Sequence, residues 1–180
     1  MRIIKRYSST IYGQYRSTGL KYGLWVGLAM SAFVFLAFML LPDSIQPHAP
    51  ENYYGDGVML FGMILAAYRY RQNLPDHHVT LKEIMLLCLW IGVVASTIYG
   101  IYLWLHCSLD DHLCQRFADS WITKAATNAA EDTTNQGLTA TQYTAGNWGF
   151  IGGFRSAVIS IILNLFTALL MRTEKAPVRK

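Results

Sequence analysis

IMLLCLWIGVVASTIYGIYLWL, residues 84–105, contains no charged side chain across its 22 positions. Lys82 and Glu83 stand before it, and Asp110 and Asp111 stand after it. At ~1.5 Å per residue, a helix of this length covers the ~30 Å hydrocarbon layer of a bilayer. Three further apolar stretches lie at 22–41, 57–68 and 149–171. With their flanks, four transmembrane helices are expected at 22–41, 53–70, 84–105 and 149–171. The expected fold is therefore all-α, an integral membrane four-helix bundle that forms one domain over residues 1–180.

The charges give the bundle a direction. Arg2, Lys5, Arg6, Arg16, Lys21, Arg69, Arg71, Lys82, Arg172, Lys175, Arg179 and Lys180 precede the first span, separate the second from the third, or follow the fourth. These are 12 of the 15 basic residues, with only Asp76, Glu83 and Glu174 beside them. The other two loops hold Arg116 and Lys124 against eight carboxylates. Lys and Arg are retained on the cytoplasmic side during insertion. Both termini are therefore expected in the cytoplasm.

Composition agrees with a bilayer environment. Hydrophobic residues make up 53% of the chain and charged residues 14%, well below the charged share of soluble domains. The net charge of +4 comes from the cytoplasmic face and suits lipid headgroups. No basic stripe with interleaved aromatics stands elsewhere, so no nucleic-acid partner is expected. The alternative of a secretory signal fits poorly, because 22–41 is long and no small-x-small cleavage site follows it.

The connecting segments carry their own signals. Residues 1–21 alternate basic residues with Ile3, Ile4, Tyr7, Ile11, Tyr12 and Tyr15, which suggests a short helix in the inner interface; a disordered basic tail is the alternative. Thr80 and Glu83 form a T-x-x-E capping box for the third helix. The outer loop, 106–147, is expected to hold an amphipathic helix with Leu109, Leu113, Phe117 and Trp121 on one face. Its second half, 125–147, has little to bury and reads as disorder or loose coil. Residues 172–180 form a basic tail. Tyr70 and Trp148, with other aromatics near the span ends, read as interfacial anchors.

Each span carries small residues every fourth position: Gly19, Gly23, Gly27 and Ser31; Gly62 and Ala66; Gly92, Ser96 and Gly100; Gly152, Ser156, Ser160, Asn164 and Ala168. Such rows let helix backbones approach closely in lipid, where no hydrophobic effect draws helices together. Two charges interrupt this apolar scheme. Arg155 lies well inside the fourth span, about 10 Å below Trp148. The second span is short, so Asp56 also falls below the outer interface. Each charge is expensive alone in lipid, and the two are expected to pair or to approach each other through water or polar groups. Arg155 alternatively snorkels toward water.

Cys107 and Cys114 share the outer loop, in an oxidising compartment. One helix through both would hold them too far apart to bridge, so a disulfide needs a turn at 108–111; reduced cysteines are the alternative. Cys88 reads as an inert core residue. His106, Cys107, Asp110, Asp111, His112 and Cys114 crowd together, but their spacing matches no zinc pattern. No metal and no cofactor are expected. No catalytic order of Ser, His and Asp appears, and Gly149–Gly153 lacks the strand and the Lys-Ser/Thr of a phosphate loop.

The order of these features is similar to a known family. Lys21-Tyr22-Gly23-Leu24 opens the first span. Ala67-Tyr68-Arg69-Tyr70-Arg71 closes the second, and Thr80-Leu81-Lys82-Glu83 opens the third. An aromatic run from Tyr99 to Trp104 ends the third, and a Gly/Ser-rich last span leads into a basic tail. The whole resembles the small bacterial inner-membrane proteins catalogued as domain of unknown function 4199. The resemblance implies the four-helix fold and the bacterial cytoplasmic membrane, and no activity. The expected role is a non-enzymatic membrane subunit whose partners are the lipid bilayer and another membrane protein or itself, with a membrane glycosyltransferase as one client. A homo-oligomeric transporter or channel is the alternative, and a lipid- or envelope-modifying enzyme is third.

Overall fold

The computed structural model describes residues 2–40, 53–74, 79–110, 112, 115 and 144–171, with side chains from residue 13 onward, residue 53 excepted. Four helices account for nearly all of them: α1, Arg2–Leu40; α2, Tyr53–Gln72; α3, Leu81–Leu109; and α4, Ala145–Met171. There is no strand among the described residues. Three helical stretches are long and apolar enough to cross a membrane: Gly13–Leu40, Leu81–Leu109 and Ala145–Met171. The shorter α2 is not among them, because Asp56 lies in its first turn and Arg69 and Arg71 in its last. The chain is thus an all-α protein with three membrane-like helices and a fourth, less apolar one.

Local chemistry explains the helix ends. The Thr80 hydroxyl accepts the Glu83 N–H at 3.3 Å, and the Glu83 carboxylate accepts the Thr80 N–H at 2.9 Å. This capping box satisfies two backbone donors that the first turn of α3 cannot pair internally. Thr144 plays a similar part for α4: its carbonyl accepts the Trp148 N–H at 3.2 Å and its hydroxyl accepts the Asn147 N–H at 3.4 Å. The last helix therefore begins at Ala145, four residues before the expected Gly149. The N-terminal stretch differs from its expectation too. Residues 2–21 are not a separate interfacial helix but the opening turns of the 39-residue α1. No proline interrupts α1, and the packing of Gly19 on α3 offsets the weak helix propensity of glycine.

Close approaches fix the helix directions. A Cβ added at Gly19, Gly23 or Gly27 would fall 2.6, 2.7 and 2.8 Å from the Cβ atoms of Trp90, Val94 and Ile98. Residue numbers rise together, so α1 and α3 run parallel. Gly92 faces Ser160, whereas Gly100 faces Gly149 and Gly153, so α3 and α4 run antiparallel. Gly62 packs on Val26 and Tyr54 on Phe33, which makes α1 and α2 antiparallel. The helices thus alternate up and down, with α3 in contact with each of the others. Arg16, Lys21, Arg69, Arg71 and Lys82 lie toward one end, and Asp56, His106 and Asp110 toward the other.

The bundle is closed by its small residues and faced by its large ones. Gly92, Ser96 and Gly100 of α3 and Gly152, Ser156, Ser160 and Asn164 of α4 are buried along one seam. Outward faces carry Leu24, Phe61, Phe150 and Leu165 exposed. This inverts the usual soluble distribution and suits hydrocarbon surroundings. Two aromatics differ from their expected interfacial positions. Trp148 is fully buried and Tyr70 nearly so, because each turns into the core that the close helix approaches create.

Candidate functional site

The charged pair lies between α2 and α4. Asp56 enters from the first turn of α2, and Arg155 from the interior of α4. Arg155 donates from Nη2 to Asp56 Oδ2 at 3.3 Å. The side chains are 23% and 16% exposed. The helix register shows how they meet. Gly153 packs on Ser96 and Gly100, which places Arg155 at about the level of Ser96; Tyr54 packs on Phe33, near the level of Tyr102. Arg155 therefore springs from roughly one helical turn, ~5 Å, deeper than Asp56. Its long side chain crosses that turn, combining reach toward the helix end with ion pairing.

The pair is electrically neutral as a unit. A lone charge here would carry a large desolvation cost, and the partner reduces it. The contact between Arg155 Nη2 and Asp56 Oδ2 ties α4 to α2 at the level of the first turn of α2. Its position at an interhelical seam makes it a lock between α2 and α4.

A second polar cluster sits toward the same end. The Tyr102 hydroxyl lies 2.8 Å from His106 Nδ1. The imidazole packs against Phe35 and Phe38 of α1, with centroids 5.9 and 6.0 Å away, and against Tyr102 at 5.3 Å. His106 thus belongs to the last turn of α3, not to a loop. Nothing in the functional reading of the sequence singled out this contact, although the i, i+4 spacing of Tyr102 and His106 is the signal that could have found it.

A third set of polar groups lines the α3–α4 seam. Asn164 donates from Nδ2 to the Met85 carbonyl at 3.0 Å. Its Oδ1, and the hydroxyls of Ser96, Ser156 and Thr167, are buried without a hydrogen-bond partner among the described residues. Asn164 and Arg155 face different surroundings, the first buried in the seam and the second half-buried beside α2.

The remaining sequence candidates divide between core and undescribed chain. Gly23, Gly27, Ser31, Gly62 and Ala66 are buried between helices. Cys88 and Cys107 are buried in α3. Cys114, the amphipathic segment around Leu113, Phe117 and Trp121, and residues 125–143 lie outside the described residues, and with them the possible disulfide. Among the described residues, no three His, Cys, Asp or Glu side chains could jointly hold a metal ion; Asp111 and Cys114 also fall outside.

No curated protein and no solved structure matches the chain. Residues 21–173, from just before the first span to just past α4, match one protein family. With that match spanning all four helices and the seams between them, the chain belongs to the family described as Protein of unknown function (DUF4199).

Proposed function

We propose that this protein is a non-enzymatic subunit or accessory protein of a membrane assembly. It resides in the bacterial inner membrane, spans it four times and keeps both termini in the cytoplasm. The observation that carries this reading is the use of the Asp56–Arg155 pair: both charges hold α2 to α4. The pair also bears on how α2 enters the bilayer. Arg155 reduces the desolvation cost of Asp56, so α2 can cross beside α4 despite its lower apolarity. The charge segregation supports the orientation.

Assembly would run through exposed apolar faces to another membrane protein or a second copy of the chain; a membrane glycosyltransferase is one client of suitable location. Mild solubilisation followed by mass spectrometry of co-purifying proteins tests the reading. A stoichiometric membrane partner is expected. A stable, partner-free monomer would overturn it.

The buried unpartnered oxygens of Ser96, Ser156, Asn164 and Thr167 favour a second reading, a homo-oligomeric transporter with a hydrated seam. Ser156→Cys separates the two. Rapid reaction with a membrane-impermeant thiol reagent supports the transporter, and protection supports the dry bundle. A lipid- or envelope-modifying activity remains the third reading, located at the segment from His106 to Cys114.

A further inference from the structure

We propose that the basic end of the α1–α3 seam holds the phosphate of one anionic phospholipid, with Arg16 as its ligand and Trp90 as the residue that positions Arg16. The proposal rests on the membrane reading above. The Arg16 guanidinium carbon lies over the Trp90 ring, 5.3 Å from its centroid. Attraction of the cation to the ring holds a long side chain of α1 against α3. Arg16 is exposed and Trp90 half-buried. Among the described residues no carboxylate pairs with Arg16. The ring supplies no oxygen acceptor, so the planar N–H fork stays open to a phosphate, whose geometry it matches.

Depth identifies the source of the anion. Gly19 packs against the Leu87 carbonyl and the Trp90 side chain. Because α1 and α3 run parallel, Arg16, three residues earlier, is level with Ile84 to Leu87. That is the first turn of the uncharged stretch 84–105. Arg16 thus stands at the edge of the hydrocarbon layer, where lipid headgroups begin. Deeper in the layer, Leu20 and Leu24 follow Arg16 at steps of four on α1, and both are exposed. A phospholipid offers its anion and its hydrocarbon in this order. A soluble phosphate would leave the two leucines uncovered.

Charge complementarity favours the same occupant. Arg16, Lys21, Arg69, Arg71 and Lys82 all lie toward this end. The one carboxylate described there, Glu83, accepts the Thr80 N–H and the Thr80 hydroxyl, each at 2.9 Å, and so is committed to the cap of α3. The excess positive charge attracts anionic over zwitterionic lipid. The Trp90 contact fixes one of these cations in place, which turns diffuse attraction into a site.

The test is native mass spectrometry of the full chain in detergent, titrated with phosphatidylglycerol or with phosphatidylcholine of the same acyl chains. The first phosphatidylglycerol should bind about fivefold more tightly than the first phosphatidylcholine. Arg16→Gln should remove that preference, whereas Lys82→Gln, which deletes the same charge at the same end, should weaken binding less than about twofold. Equal losses from the two variants, or none from Arg16→Gln, would overturn the site. Arg16→Lys keeps the charge without the fork, and intermediate affinity at the wild-type Tm is expected; wild-type affinity would overturn the fork contact. Trp90→Leu keeps the contact of its Cβ with Gly19 and should also weaken phosphatidylglycerol binding; no change would overturn the positioning role. Displacement of the lipid by soluble glycerophosphoglycerol would assign the site to a free phosphate. Photocrosslinking from position 20 to a protein, with no lipid adduct, would assign it to an acidic protein segment. Alkaline carbonate extraction keeps the two readings apart: release from membranes defeats the membrane reading, whereas retention with equal losses defeats only the lipid site.

Discussion

The seam between α3 and α4 and the seam between α2 and α4 hold the same helix by opposite means. The first brings backbones together: Gly100 faces Gly149 and Gly153 so closely that a Cβ has no room. The second brings long side chains together: Asp56 and Arg155 meet at one charged contact, while Met59 and Met63 of α2 fill the core. A backbone seam tolerates almost no added volume, since neither side can rotate away. A side-chain seam tolerates volume and instead requires chemical complementarity. The least apolar of the four helices carries one partner of the Asp56–Arg155 pair.

The largest expected effect tests the backbone seam. In Gly100→Leu the first added carbon would meet the Gly149 carbonyl oxygen at 2.9 Å and the Gly153 Cα at 3.3 Å. Neither atom can yield without moving α4, so a loss of ~3 kcal/mol or more is expected. Equilibrium unfolding in bicelles measures it; a loss of only a few tenths would show that the helices separate freely and that the contrast is false.

The charged seam should respond less in size and more in kind. Asp56→Ala and Arg155→Ala should each cost about 2 kcal/mol, less than a fully buried pair, because both groups are partly exposed. The exchange Asp56→Arg with Arg155→Asp should recover part of that loss in a double-mutant cycle. Strict additivity of the single changes would break the claim that these residues act together.

Thr80→Ala lies outside both seams and should cost ~1 kcal/mol through the lost cap alone. Hydrogen exchange should then show fraying confined to the first turn of α3. Spread of the effect to α4 would mean that the cap and the seam are coupled. The smallest effect belongs to Asn164→Leu. It removes one interhelical hydrogen bond to Met85, worth ~0.6 kcal/mol in a membrane protein, but also removes a buried Oδ1 without a partner. Near-neutral stability is expected. A loss of several kcal/mol would place a bound polar species in the seam and strengthen the transporter reading.

How much was legible in the sequence depended on whether a signal was local. The Thr80–Glu83 cap was readable because both partners lie within one turn. The rows of small residues were readable as spacing, and Gly23 and Gly27 do meet Val94 and Ile98. The expectation for Asp56 and Arg155 came from depth, since a short second span brings Asp56 below the interface; the structure brings them to 3.3 Å. Trp148 was misread as an anchor because tryptophan near a span end is common at interfaces, and only the approach of α3 to α4 buries it. The start of α4 at Ala145 was missed although Thr144 is a good cap, because the Ala/Thr/Asn composition before it resembles coil. Tyr102 and His106 were seen as an aromatic run and as loop, so their contact across one turn went unread.

By itself, the sequence determined where helices form, which faces of them are small, how charge divides between the two ends, and that two charges need partners. These follow from span length, period and the cost of ions in lipid, all properties of single segments. The tertiary structure alone decided which helix lies opposite each face: α3 against both α1 and α4, and α2 beside Arg155. Periodicity defines the face a helix offers but not the face it receives. In lipid every apolar partner is nearly equivalent, so among the described residues shape and the Asp56–Arg155 pair bear on the choice.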